Sequence, residues 1–212
     1  MKRYSQLGFM LMDSEYDLGD LFIGSYRRNP ITVGAAGINL IAGGCVTMSG
    51  GVILSIMMLA LLPLVGAVAA FEDGRLSKTV RPAVYALFGG GVALLVAMIC
   101  ERVSTGCVDR LGIYLPLAAL DTLVFVRLSD EAPRLTIAEG FVSGAGTACC
   151  FAVLAMTISF VRELFGAGAI FGKYLFSAYP SLQSPYFGFI LCGLALAIAK
   201  KLAVKRAMRE ND

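Results

Sequence analysis

The chain has 212 residues, of which 58% are apolar and only 16% charged, and its mean hydropathy is +0.77. A soluble domain carries about 25% charge, so an ordinary water-soluble fold is excluded; the long unbroken apolar runs exclude a membrane β-barrel, whose strands alternate. The net charge is only +3, with no His and no Trp, which excludes His-ligated haem, zinc or copper and gives no sign of nucleic-acid binding.

The class is therefore an all-α integral membrane protein that meets the lipid bilayer directly. Residues 1–28 read as a polar-to-mixed cytoplasmic arm. Its only apolar patch, residues 9–12, is too short for a signal-peptide core, so the N-terminus is expected to be retained. Six apolar segments follow, at 31–46, 49–70, 83–100, 111–127, 139–161 and 186–199. A spanning helix needs about 20 apolar residues, which the second and fifth segments meet comfortably. The first and fourth are short and interrupted, by Gly34, Gly37, Gly43 and Gly44 in one and by Gly112 and Pro116 in the other.

These two broken segments each open a set of three. Paired interruptions at corresponding places in two halves point to an inverted repeat with its site near the bilayer midplane. Three helices per half force the halves into opposite orientations. The predicted architecture is thus six transmembrane helices in two inverted-topology three-helix repeats. Residues 29–127 hold the first repeat and the start of the second. Residues 128–203 hold helices five and six with an outer loop at 162–185, and 204–212 form a cytoplasmic tail. That outer loop is rich in Gly, Tyr and Phe, and suggests folding back onto the membrane or onto a partner, or an ordinary interfacial loop.

Lys and Arg set the orientation, because cytoplasmic loops carry an excess of them. With the N-terminus inside, the inner face holds Lys2, Arg3, Arg27 and Arg28, then Arg75, Lys78 and Arg81, then Arg127 and Arg134. It also holds the tail cluster Lys200, Lys201, Lys205, Arg206 and Arg209. Only Arg102, Arg110, Arg162 and Lys173 fall outside. Both termini are expected in the cytoplasm, in a bacterial plasma membrane.

Polar residues at membrane depth are expensive and mark pathways, sites or helix locks. Asn39 in the first segment and Asp121 with Thr122 in the fourth are of this kind. Two readings stand: a buried hydrogen-bond cluster locking the two broken helices, or a proton or cation site. In the second, Asp121 is the acid or ion ligand and Asn39 and Thr122 are neutral oxygens. Arg127 could snorkel to the surface or pair with Asp121. Cys45, Cys100 and Cys107 read mainly as small apolar packing residues, with an outer disulfide or metal site as the alternative. Cys100 and Cys107 share a face if their helix is continuous. Gly140 and Gly144 form a small-residue helix contact, within the chain or between subunits. Arg162-Glu163 closes the fifth segment as an interfacial charge pair, or as an ion-entry or docking position. The glycine pairs lack the strand-loop-helix context of a phosphate-binding loop.

Three motifs carry a resemblance to a known family. Arg28-Asn29-Pro30 leads into Gly37-Ile38-Asn39. Leu111-Gly112-Ile113-Tyr114-Leu115-Pro116-Leu117 follows. The third is Arg162-Glu163-Leu164-Phe165-Gly166-Ala167-Gly168-Ala169-Ile170-Phe171-Gly172. Together with the ending from Pro185 to Lys200 they cover about 29–205, and the chain resembles the membrane subunits of the Rnf/Nqr family, of the Rnf E and Nqr D type. The resemblance implies a membrane subunit of an ion-translocating electron-transport oxidoreductase complex, coupling electron transfer to H+ or Na+ movement. It implies an A-type partner of opposite topology, alongside other subunits, and a 2Fe–2S cluster shared between the two, each chain giving two Cys from its broken helices. Here Asn39 and Thr122 stand at those Cys positions, so this chain is expected to carry no cofactor of its own, and a cluster at the partner interface would draw on the partner's ligands. With no soluble redox domain, the chain is not catalytic alone. The alternative is a cluster-less paralogue acting as a small-solute or ion transporter or as an assembly scaffold.

Overall fold

The computed structural model describes residues 29–72, 77, 79–103, 105–130 and 136–209; the expected arm at 1–28 lies outside these. The described chain is almost entirely helical. Two long helices form its centre, α3 (Met48–Glu72) and α8 (Ile137–Arg162). Around them stand α4 (Arg81–Val103), α9 (Pro185–Arg209) and two chains of short helices. The first is α1 (Pro30–Gly34) and α2 (Ile38–Gly44); the second is α5 (Cys107–Leu111), α6 (Tyr114–Leu117), a 3-10 turn at Ala118–Leu120, and α7 (Thr122–Asp130).

Among the described residues, three helical stretches are long and apolar enough to cross a bilayer: Met48–Phe71, Arg81–Arg102 and Ile137–Ala167. The apolar part of α9 ends before Lys200, after which the helix continues through five basic residues to Arg209. The tail expected as separate at 204–212 is thus helical through Arg209. Lys and Arg are good helix formers and suit the negative C-terminal end of the helix dipole, so nothing at residue 204 stops the helix.

The two interrupted segments are broken by identifiable backbone geometry. Asn29 caps α1: its side-chain oxygen accepts from Ile31 N at 2.9 Å, and Pro30 occupies the first helical position, where no N–H is missed. Ala35 (φ 57) and Gly37 (φ 81) then sit in left-handed backbone, which a right-handed helix cannot contain. In the fourth segment Gly112 (φ 50) and an extended Asp121 (ψ 147) do the same. The helix also stops between Val103 and Cys107, with Gly106 at φ 76. The condition for Cys100 and Cys107 to share one helix face is therefore not met. Glu101 instead accepts from Gly106 N at 2.7 Å and Val108 N at 3.2 Å, tying the start of α5 to the end of α4.

The core is the seam between α3 and α8. Both carry glycines where the other's backbone arrives. A Cβ on Gly140 would meet Gly66 carbonyl carbon at 3.1 Å; one on Gly144 would meet Leu62 C and Pro63 Cα at 2.8 Å; one on Gly51 would meet Ser159 Cβ at 2.8 Å. The rising numbers on one helix meet falling numbers on the other, so the pair is antiparallel. The small-residue contact predicted at Gly140 and Gly144 is thus made inside the chain. Because membrane helices gain little from excluding lipid, this backbone approach carries much of their association. Gly144→Leu is expected to force the helices apart and remove the folded, monodisperse protein from detergent extracts. Gly90→Leu, on a face with nothing within 4 Å, should leave it unchanged.

The region expected as an outer loop at 162–185 is ordered. A π-helical turn at Glu163–Ala167 leads into a two-residue hairpin of Ala169–Ile170 and Lys173–Tyr174. Phe171 (φ 49) and Gly172 (φ 75) make its turn, the left-handed pair that matches strand twist. A 3-10 turn at Pro180–Gln183 then delivers the chain to α9.

Candidate functional site

The breaks of the two interrupted segments meet. Gly37 N, at the break between α1 and α2, donates to Thr122 Oγ1 at 3.2 Å. Asp121 precedes α7, and its Oδ1 accepts from Leu123 N at 2.8 Å, the geometry of an N-cap. A Cβ on Gly37 would stand 3.4 Å from the same Oδ1 and 3.5 Å from Phe151, so a side chain at this left-handed position would crowd the junction. Asp121 is 1% exposed and its Oδ2 has no partner at hydrogen-bonding distance. The side chains of Asn39 and Thr122 flank this carboxylate, and both residues are exposed on the surface of the single chain. The three residues singled out from the sequence are therefore brought together. The side chain of Arg127, the suggested partner of Asp121, lies outside the described residues.

Asn29 adds a second tie to the first interrupted segment. Fully buried, it donates from Nδ2 to Thr147 O at 3.4 Å while capping α1. The interrupted segment is thus pinned to α8 on one side and to α7 on the other.

The pair Arg162-Glu163, which closes the fifth apolar segment, is buried within the protein. Arg162 is 0% and Glu163 3% exposed. Arg162 Nη1 donates to Ala42 O at 2.6 Å and Cys45 O at 3.2 Å; Nη2 donates to Gln183 O at 2.6 Å and Ser184 O at 3.2 Å. Glu163 Oε2 accepts from Met48 N, and Oε1 from Gly172 N at 2.8 Å. The cation thus serves carbonyls at the C-terminal end of α2, and the anion serves an N–H at the start of α3. Each charge lies at the helix end whose dipole favours it, and together they fix the turn joining these helices. No local pattern signals this, because Ala42, Cys45 and Met48 are more than a hundred residues away; only the position of an Arg-Glu pair at the close of an apolar stretch hints at it.

The donor set does not suit an iron–sulfur cluster. Such clusters are held by thiolates, whereas the junction offers a carboxylate, an amide and a hydroxyl. Cys45 is fully buried at the far end of α2, and no group of three or more His, Cys, Asp or Glu able to hold a metal occurs among the described residues. The described cysteines, Cys45, Cys100, Cys149, Cys150 and Cys192, are free. The side chain of Cys107 lies outside the described residues.

An apolar helical protein with two interrupted segments meeting at a buried carboxylate is a membrane protein of the broken-helix class. The chain belongs to the Rnf-Nqr family of membrane subunits: the family model "Rnf-Nqr subunit, membrane protein" matches residues 20–202. It is 29% identical over 181 residues to the E-type subunit of the proton-translocating ferredoxin:NAD(+) oxidoreductase complex of Clostridium ljungdahlii, covering 84% of this chain and 85% of that one. It is 26% identical to the E-type subunit of the Na(+)-translocating ferredoxin:NAD(+) oxidoreductase complex of Acetobacterium woodii, over 73% and 79% of the two chains. To the D-type subunit of the Na(+)-translocating NADH-quinone reductase of Pseudoalteromonas translucida it is 25% identical, over 68% and 69%. These matches bear out the reading of the sequence as a membrane subunit of the ion-translocating electron-transport type.

Proposed function

We propose that this chain is the E/D-type half of a paired membrane core in an ion-translocating oxidoreductase complex, seated in a bacterial plasma membrane beside an A-type subunit. The observation that carries this reading is the meeting of the two helix breaks at Gly37 and Asp121-Thr122. The antiparallel packing of α3 on α8 supports two inverted three-helix repeats, since the second and fifth of six spans must run oppositely. The distribution of Lys and Arg supports cytoplasmic termini. Asn39 and Thr122 lie open on the single chain. A polar surface at membrane depth needs protein rather than lipid against it, and the A-type partner supplies that cover.

Asn39 and Thr122 bring oxygen where the family resemblance leads one to expect sulfur. Any cluster in the assembled complex therefore takes its thiolates from the partner. Affinity purification of this chain in mild detergent tests both statements. The expected result is co-purification of a second membrane subunit and of flavin-bearing subunits, with iron and acid-labile sulfide in the complex and none on the chain expressed alone. A chain that purifies alone from its native membrane overturns the partnership; stoichiometric iron on the isolated chain overturns the assignment of ligands to the partner.

A second reading is favoured by the unpartnered Oδ2 of Asp121: the junction of Asp121, Asn39 and Thr122 is an ion or proton seat. It serves either within the complex or in a chain that has left electron transfer and works as a transporter. On the competing reading the same residues are a lock, with Asp121 an N-cap and its neighbours the bolts. Asp121 substitutions separate the two.

A further inference from the structure

The ordered segment after α8 exposes more large apolar surface than its own hydrogen bonding requires. Phe171 is 60% exposed, Tyr174 86%, Leu175 60% and Tyr179 67%. Phe165 and Phe176 are each 47% exposed. This surface is not slack chain. Leu175 N and Phe176 N both donate to Gly168 O, at 2.7 and 3.2 Å, and Tyr179 N donates to Phe165 O at 3.1 Å. Gly172 N is held by Glu163. The backbone is pinned and the aromatic side chains point away from it. Single exposed apolar residues need no explanation, but a contiguous set does.

Its depth can be worked out. From the break at Gly37 to Cys45 the chain rises eight helical residues, about 12 Å. Half the hydrocarbon core is about 15 Å. With the break at the midplane, Arg162, which holds Cys45 O, lies at the edge of the hydrocarbon, and the hairpin begins immediately beyond it. Aromatic residues collect at that level because one end of the ring system is apolar and the other tolerates water. The charge pattern agrees: between Glu163 and Lys200 the sequence has one charged residue, Lys173, at the hairpin, where a long stem lets its ammonium reach the headgroups. The helices that enter and leave this segment expose apolar side chains too, Phe160 on α8 and Tyr186, Phe189 and Ile190 on α9, which face the acyl chains if these helices span.

We propose that residues 165–179 form an interfacial aromatic anchor, with the hairpin lying on the boundary between headgroups and acyl chains of the bilayer rather than under another protein. The inference rests on the membrane-spanning placement above. Because the chain has no Trp, Tyr174→Trp adds a reporter whose signal is the difference from the unsubstituted complex. Tyr174 has little to lose in packing, so the variant should fold. Leu94→Trp, on the exposed middle of α4, reports the span itself. The complex is reconstituted into phosphatidylcholine nanodiscs carrying lipids brominated either high or low on the acyl chain. The expected result is stronger quenching of the Tyr174→Trp signal by the shallow bromines than by the deep ones, blue-shifted emission, and weak quenching by acrylamide. Strong acrylamide quenching without bromolipid quenching means the hairpin stands in water; no quenching by either means a protein covers it. Both overturn the anchor. Loss of deep quenching at Leu94→Trp overturns the spanning placement instead.

Discussion

Arg162→Ala is expected to be the most damaging single change outside the glycine seam. The guanidinium makes four charge-assisted hydrogen bonds to backbone carbonyls of two separate elements, the end of α2 and the approach to α9. Hydrogen bonds to charged groups are worth about 1.5–3 kcal/mol each, and buried acceptors left empty cost about 1–3 kcal/mol. The terms are not additive, and the bare cation carries its own burial cost, so a net loss of about 3–5 kcal/mol is expected. Against a total stability of about 5–15 kcal/mol that is a large share, and a melting temperature well below that of the unsubstituted protein is expected. Arg162→Lys should rescue only partly. A lysine is a point donor on a flexible stem, whereas the fork reaches two elements in fixed directions. Glu163→Gln keeps one neutral acceptor for Met48 N but turns an amide NH2 toward Gly172 N and loses the charge at the start of α3, and should cost about 2 kcal/mol. Thermal melting of the detergent-purified protein, followed by size-exclusion recovery, ranks the three. An Arg162→Ala protein that melts with the unsubstituted one would dismiss the clamp.

The same pair marks how far the sequence could be read. The long helices were legible because an apolar run and a charged boundary are local facts: α3 begins and ends within two residues of the expected 49–70, and α8 within two of 139–161. The breaks at Gly37 and Gly112 were legible because glycine is a local breaker, whereas Pro116, expected to interrupt, lies inside α6 and the break at Asp121 has no breaker of its own; the grouping of Asn39, Asp121 and Thr122 followed from pairing the two interrupted segments. What the residues do there was not legible. Asn29 stands out in the sequence only as part of the Arg28-Asn29-Pro30 motif, yet its amide reaches Thr147, 118 positions away. Arg162-Glu163 reads as an interfacial charge pair closing the fifth segment, or as an ion-entry or docking position. Only the folded arrangement shows that two other helix termini arrive there first. The connection at 162–185 was legible as a connection but not in its detail: the pairing that makes its short hairpin is held by Glu163 and Gly168 rather than by alternation of its own side chains.

Asp121 carries the second large expectation, and two substitutions separate its roles. Asn ranks with Asp as an N-cap, so Asp121→Asn keeps the bond to Leu123 N and removes only the charge. Asp121→Ala removes both, costing about 1–2 kcal/mol at the cap alone and more where the junction with Gly37 and Thr122 loosens. The expected stability order is therefore unsubstituted, then Asn close behind, then Ala well below, measured by melting of the purified complex. That order alone does not choose between a lock and an ion seat, because the cap is needed in both. Function does. If the junction is a lock, the assembled Asp121→Asn complex keeps its ion translocation in reconstituted vesicles, since no step depends on the carboxylate's charge. If it is an ion seat, the same complex folds, assembles and accepts electrons, yet translocates no ion, and a carboxylate-dependent stabilisation by Na+ over a bulky organic cation disappears with it. The orphaned Oδ2 beside Asn39 and Thr122 argues for the seat. The cap on Leu123 N and the exposed positions of the two neighbours argue for a lock completed by the partner. The Asn variant is the change that leaves the second set of contacts standing while removing the first.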